Sequence, residues 1–133
     1  MYQLLFVLGI FVVNAAGGQL PTEMKEIWES MTAQYRDECI SISGTDPALV
    51  TMMMEDAYVA NDRSLGCYLM CIYKKFGFLQ EDGEFLAHVI LVTASYMTEL
   101  FTDNCLDECS GETDLCLKSL IAGNCTIVGL SIP

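Results

Sequence analysis

The side chains in this chain that could do chemistry are seven cysteines, at Cys39, Cys67, Cys71, Cys105, Cys109, Cys116 and Cys125, and one histidine, His88. Cysteines in such number hold a metal, attack an electrophile or cross-link the fold. A zinc site wants Cys and His ligands clustered at short spacings on both sides, and a nucleophile wants a base beside it. His88 lies among Leu86, Ala87, Val89 and Ile90 and serves neither purpose. The chain has no Gly-x-Ser-x-Gly, no His-Glu-x-x-His and no phosphate-cradling glycine loop. The acidic pairs Glu81 with Asp82, Asp107 with Glu108 and Glu112 with Asp114 read as solvated charge in turns and on polar faces. No enzyme, no metal and no cofactor is therefore expected. Cross-linking remains: six cysteines pair and one is left over.

Cross-linking needs an oxidising compartment, and the start of the chain points to one. Leu4 to Val13 is an unbroken apolar run, followed by Ala15, Ala16, Gly17 and Gly18. That is a signal-peptide pattern, too short to span a bilayer, which takes about 20 apolar residues. We expect a leader over residues 1–18 and a secreted, extracellular domain over 19–133 that keeps every cysteine and every charge. A small domain buries proportionally little surface, and disulfides make up for that. Of the 133 residues 53% are hydrophobic, and mean hydropathy is +0.39. The 18 Asp and Glu against 6 Lys and Arg leave a net charge of -12, which repels nucleic acid and anionic membrane surfaces.

The elements that must position the cysteines read as helices. Pro21 and Thr22 open the first, where Met24, Ile27, Trp28, Met31 and Tyr35 recur at intervals of three and four and form one apolar stripe. Asp46 and Pro47 cap and start a second, running to about Ala60. Its Met52, Met53 and Met54 cannot all face one way. A third carries Leu65 to Phe76 before Gly77, with Cys67 and Cys71 on one face, so that each must reach to a different neighbouring helix. Glu84 to Asn104 reads as helix, with room for a break into two. The β-branched run Val89 to Thr93 could be a strand by propensity, but no comparable second strand exists to pair with it. The last helix is expected from near Glu112 to Gly123 and Asn124, leaving an apolar tail from Thr126 to Pro133.

Twenty-seven residues separate Cys39 from Cys67, three separate Cys67 from Cys71, and eight separate Cys116 from Cys125. With the segment GCYLMCIYKKFGFLQEDGEF at residues 66–85, this resembles the insect odorant-binding proteins, which include pheromone-binding and general odorant-binding members. The resemblance implies an all-α domain of about six helices, stapled by three interlocked disulfides around an apolar cavity. It also implies the pairing Cys39 with Cys71, Cys67 with Cys116, and Cys105 with Cys125. Either Cys105 or Cys109 could be the fourth framework cysteine. The first leaves ten residues before Cys116 and the second only six, and we favour Cys105 because six leave less room to turn.

The function so implied is non-catalytic carriage of a small hydrophobic ligand, with a membrane receptor as a partner at delivery and the protein a monomer or weak homodimer. The competing reading is a secreted disulfide-rich interaction protein, signalling or toxin-like, that encloses nothing. Candidate ligand contacts are Trp28, Met31 and Met53 on the first two helices, and Tyr68, Ile72, Tyr73 and Phe76 on the third. Beyond the Gln80 turn they are His88, Val92 and Tyr96, and in the tail Ile127, Val128 and Leu130. Tyr68, Tyr73 and Tyr96 would offer an apolar body with one polar tip, and His88 would be a pH gate. The tail is expected to fold back as a wall of the cavity. The same aromatics and methionines would also fill a solid core.

Overall fold

A computed structural model describes residues 18–133. The leader expected over residues 1–18 lies, apart from Gly18, outside the described residues.

Among the described residues seven helices follow one another: α1 (Thr22–Thr32), α2 (Arg36–Ser43), α3 (Pro47–Glu55), α4 (Arg63–Lys75), α5 (Ala87–Thr93), α6 (Glu99–Cys109) and α7 (Leu115–Leu130). Aspartates start three of them. Asp46 accepts the amide of Ala48 ahead of Pro47, Asp62 those of Ser64 and Leu65, and Asp114 those of Cys116 and Leu117, each satisfying amides that a helix leaves unpaired. α4 ends where Gly77 takes φ 76°, a left-handed conformation that costs glycine little.

Helix boundaries depart from the sequence reading in four places. The first helix is broken by a turn at residues 33–35, where the amide of Tyr35 bonds the carbonyl of Thr32. The second ends at Glu55, five residues short of Ala60, and the chain turns through Ala57 at φ 51°. Glu84 to Leu86 are not helical; Leu79 and Phe85 form an isolated antiparallel bridge around the Gln80 turn. The last helix does not stop at Gly123 but continues to Leu130, absorbing most of the expected tail. Gly123 is read by sequence as a stop, yet a Cβ there would lie 2.6 Å from Leu69 Cδ1. The glycine serves the crossing of α7 over α4, not a helix end. Beyond α7, Ile132 pairs with Gln19 through two backbone hydrogen bonds of 2.9 and 2.7 Å, so the tail returns to the start of the domain.

Three disulfides staple the helices: Cys39 with Cys71 joins α2 to α4, Cys67 with Cys116 joins α4 to α7, and Cys105 with Cys125 joins α6 to α7. α4 is thus the hub, and the loops interlock. Closing loops of 32, 49 and 20 residues restricts the unfolded chain by about 3 to 4 kcal/mol each in the loop-entropy account. Cys109 is the free thiol, buried at 1% exposure with its Sγ donating to the Leu106 carbonyl. The core lies where α1, α3 and α7 meet α4, around Met53, Leu65, Tyr68, Leu69 and Ile72.

Candidate ligand chambers

Two apolar chambers lie side by side among the helices. The larger, with about 450 Å³ of empty space partly open to solvent, is walled by Trp28 and Tyr73, by Phe78 and Phe85 from either side of the Gln80 turn, and by Ile90 of α5. The α5–α6 linker adds Ala94, Tyr96 and Met97, and α6 and α7 close it with Thr102, Leu106, Ala122 and Thr126. The smaller, about 270 Å³, lies toward α3 behind Met24, Met53, Leu69, Gly123 and Ile127. Trp28, Tyr73, Tyr96 and Thr126 border both, so these four side chains form the partition.

The rings make a connected cluster. Tyr73 meets Trp28 edge-on at 6.2 Å between centroids and Phe85 at 5.7 Å, and lies stacked on Phe78 at 6.2 Å. Offset and edge-on geometries are those that aromatic quadrupoles favour. Phe85 is held in place by Lys118, a buried lysine of α7 whose Nζ donates to the Gly83 carbonyl at 2.7 Å and sits 5.9 Å from the Phe85 centroid. The tyrosines are kept neutral. Burial is the sole cause that pushes Tyr96 up to about 12, and burial first, with Tyr96 and Cys109 nearby, pushes Tyr73 higher still.

Among the described residues no cation lines either chamber. Lys25, Arg36, Arg63, Lys74 and Lys75 each stand within 4 Å of a carboxylate, with Arg36 to Asp37 the longest at 3.9 Å, and Lys118 bonds Gly83. Among the described residues no group of three His, Cys, Asp or Glu side chains is placed to hold a metal, and no helix is long and apolar enough to cross a membrane.

Of the residues singled out from sequence, Trp28, Tyr73 and Tyr96 border both chambers, and Met53 and Ile127 border the smaller. Tyr68 faces a separate open groove between α1 and α3, with Thr32, Arg36 and Met54. Ile72 is fully buried in the core, while Phe76 packs behind Trp28 at 5.7 Å. Met31 and Leu130 are half-buried against the core. His88 is exposed, as are Val92 at 81% and Val128 at 57%. The periodicity explains this: α5 buries only Ile90, and residues two positions to either side are turned away from it. Val128 likewise follows the inward Ile127 by about 100° around α7.

Sequence reasoning missed Phe78, Phe85, Ile90, Met97, Thr102, Ala122 and Thr126. Phe78 and Phe85 did carry a signal, as apolar residues symmetric about the polar Gln80 to Gly83 turn. Thr126 needed α7 to continue past Gly123.

Two comparisons with known proteins bear on this arrangement. The family model of the PBP/GOBP family matches residues 22–127, a span that holds all seven helices except the end of α7 and all three disulfides. A search of curated proteins returns no match. With this match over most of its length, its all-α fold and its three interlocked disulfides, the chain belongs to the PBP/GOBP family, a family of odorant and pheromone carriers that bind small hydrophobic ligands.

Proposed function

We propose that this protein is an extracellular carrier that takes one small apolar molecule, an odorant, a pheromone or a similar compound, into the paired chambers and moves it through aqueous fluid. The observation that carries this reading is an aromatic-walled apolar chamber with no charged residue among its described lining, in a chain of a carrier family. The apolar leader at residues 4–13 and the three disulfides support secretion. A membrane receptor is the partner expected at delivery. The competing reading, an interaction protein that encloses nothing, leaves the chambers without a role.

Affinity comes from apolar area removed from water. A ligand burying about 250 Å² gains about 6 kcal/mol at roughly 25 cal/mol per Å², which corresponds to tens of micromolar before ordering costs are subtracted. Met24, Met53 and Met97 in the walls adapt to shape at low cost. The test is fluorescence titration with N-phenyl-1-naphthylamine. We expect saturable enhancement, weakened about tenfold or more in Ala122→Leu, which narrows the larger chamber, with the helical circular dichroism retained. Natively folded protein that gives no enhancement would refute carriage.

A further inference from the structure

Of the six Lys and Arg residues, five make hydrogen bonds: Lys25, Arg63, Lys74 and Lys75 donate to carboxylates, and Lys118 donates to the Gly83 carbonyl. Arg36 is the exception. Among the described residues the only carboxylate within 4 Å of it belongs to the fully exposed Asp37, at 3.9 Å, a pairing that contributes little in water. Arg36 borders the open groove between α1 and α3, which lies outside both chambers. Tyr68 of α4 also lines this groove and is 1% exposed. Its hydroxyl has no hydrogen-bond partner among the described residues, yet it is not sealed from water as the unpartnered hydroxyls of Thr45, Thr102 and Ser119 are. The phenol tip is thus the part of this buried side chain that reaches the groove. Burial pushes Tyr68 up to about 12, with the charge of Arg36 drawing it back, so the phenol stays protonated and able to donate beside the guanidinium.

We propose that this groove is a second ligand site, separate from the chambers, for a monocarboxylate with a short apolar body, such as a medium-chain fatty acid. The carboxylate takes hydrogen bonds from the Arg36 guanidinium and the Tyr68 hydroxyl, and the chain lies over Trp28, Val50 and Met54. A planar pair of oxygens matches the guanidinium fork. The other end of the groove has the opposite character and fixes the direction of the ligand. There Lys25, near the start of α1, is neutralised by Glu55 at the end of α3, at 2.9 Å, and Glu29 follows Lys25 by one turn. A second carboxylate at the far end of the chain is carried toward Glu29 and Glu55 and repelled, so the site takes monoacids and not diacids. The net charge of -12 opposes any anion at long range, but salt screens that field beyond about 8 Å, and the two donors act at contact.

This inference does not rest on the carrier reading. Octanoate, octanedioate and 1-octanol are titrated at neutral pH into the oxidised full chain, free and saturated with N-phenyl-1-naphthylamine, and binding is followed by backbone amide NMR shifts. We expect octanoate to shift the amides of Thr32, Ala33, Arg36 and Thr51 with the same dissociation constant in both samples, leaving the naphthylamine fluorescence in place. Octanedioate and 1-octanol should bind there at least fivefold more weakly. Arg36→Gln should weaken octanoate about tenfold, the size of one charge-assisted hydrogen bond, and Tyr68→Phe about fivefold. Both should keep naphthylamine affinity within about twofold of wild type. Lys75→Gln removes the same charge outside the groove and should leave octanoate within about twofold. Unchanged octanoate affinity in Arg36→Gln or Tyr68→Phe, an equal loss in Lys75→Gln, octanedioate bound as tightly as octanoate, or displacement of naphthylamine by octanoate overturns the proposal. If the protein takes up no naphthylamine, the carrier reading fails and the groove is judged by the same shifts in the free protein.

Discussion

Replacing Gly66 by alanine should destabilise this protein, although helix propensity argues the reverse. Gly66 lies in the first turns of α4, and alanine is favoured over glycine inside a helix by about 1 kcal/mol. The structure inverts the sign. A Cβ at Gly66 would collide with the carbonyl oxygen of Cys116 and lie 2.9 Å from its carbonyl carbon and 3.0 Å from Leu120 Cβ. The obstacle is backbone, and it cannot back away: Cys116 is bonded to Cys67, the next residue along α4, with the two Cα atoms 4.3 Å apart. Overpacking costs about 1 to 3 kcal/mol, and a clash with pinned backbone belongs at the upper end. Subtracting the propensity gain leaves about 2 kcal/mol, or a fall in Tm of about 8 °C at roughly 4 °C per kcal/mol for a domain of this size. Gly129 is the control. The nearest atoms to a Cβ there belong to the half-buried ring of Phe101, which can turn, so Gly129→Ala should fall within about 1 kcal/mol of wild type. Thermal unfolding of the oxidised protein followed by far-ultraviolet circular dichroism measures both. A Gly66→Ala protein as stable as wild type, or shifts equal in the two variants, would refute the claim that the α4–α7 crossing is held at backbone contact.

Cys109 should count as one thiol in denaturant and none in the native protein, because it is 1% exposed and burial raises its thiol, keeping it protonated and unreactive; rapid labelling of native protein would contradict its placement. Asp114→Asn should lower Tm at neutral pH. Arg63 donates to both carboxylate oxygens at 2.9 and 3.2 Å, and this, with the amides of Leu117 and Cys116, holds the carboxyl below the usual range. That stability is present above the unfolded value and lost as pH falls through the lowered one, so the gap to wild type should close below about pH 4, and a gap that stays constant into acid would show another cause. Ile127→Ala should cost about 3 kcal/mol and alter naphthylamine affinity, since Ile127 is buried against the smaller chamber. Val128→Ala, at a side chain 57% exposed, should change stability by less than about 0.5 kcal/mol and leave binding alone; equal effects in urea unfolding would mean that α7 is rotated from the orientation described.

What the sequence by itself determined was local or arithmetic. Asp46 before Pro47 specified a helix start because a carboxylate and a preset φ act within one turn, and the structure has that cap. Cys67 and Cys71, four apart, had to share a helix face and reach two partners, and they do, to α2 and α7. An odd cysteine count left one thiol over, and the family's interlocked pattern, a resemblance and not a consequence of spacing, pointed to the pairs. The rejected strand at Val89 to Thr93 is α5, a short helix of seven residues.

Only the tertiary structure decided the rest, because it depends on which surfaces meet. Gly123 has the same type whether it ends a helix or lets one pass close to Leu69, and nothing in its neighbours along the chain distinguishes the two. The inward side of α5 is Ile90 and not His88 or Val92, since seven residues are too few to show a periodic stripe and the choice is made by contact with the core. The chambers are the clearest case. Trp28, Phe78, Tyr96, Thr102 and Thr126 come from five helices or linkers distant in sequence, and the space among them exists because bulky rings from separate elements do not close it.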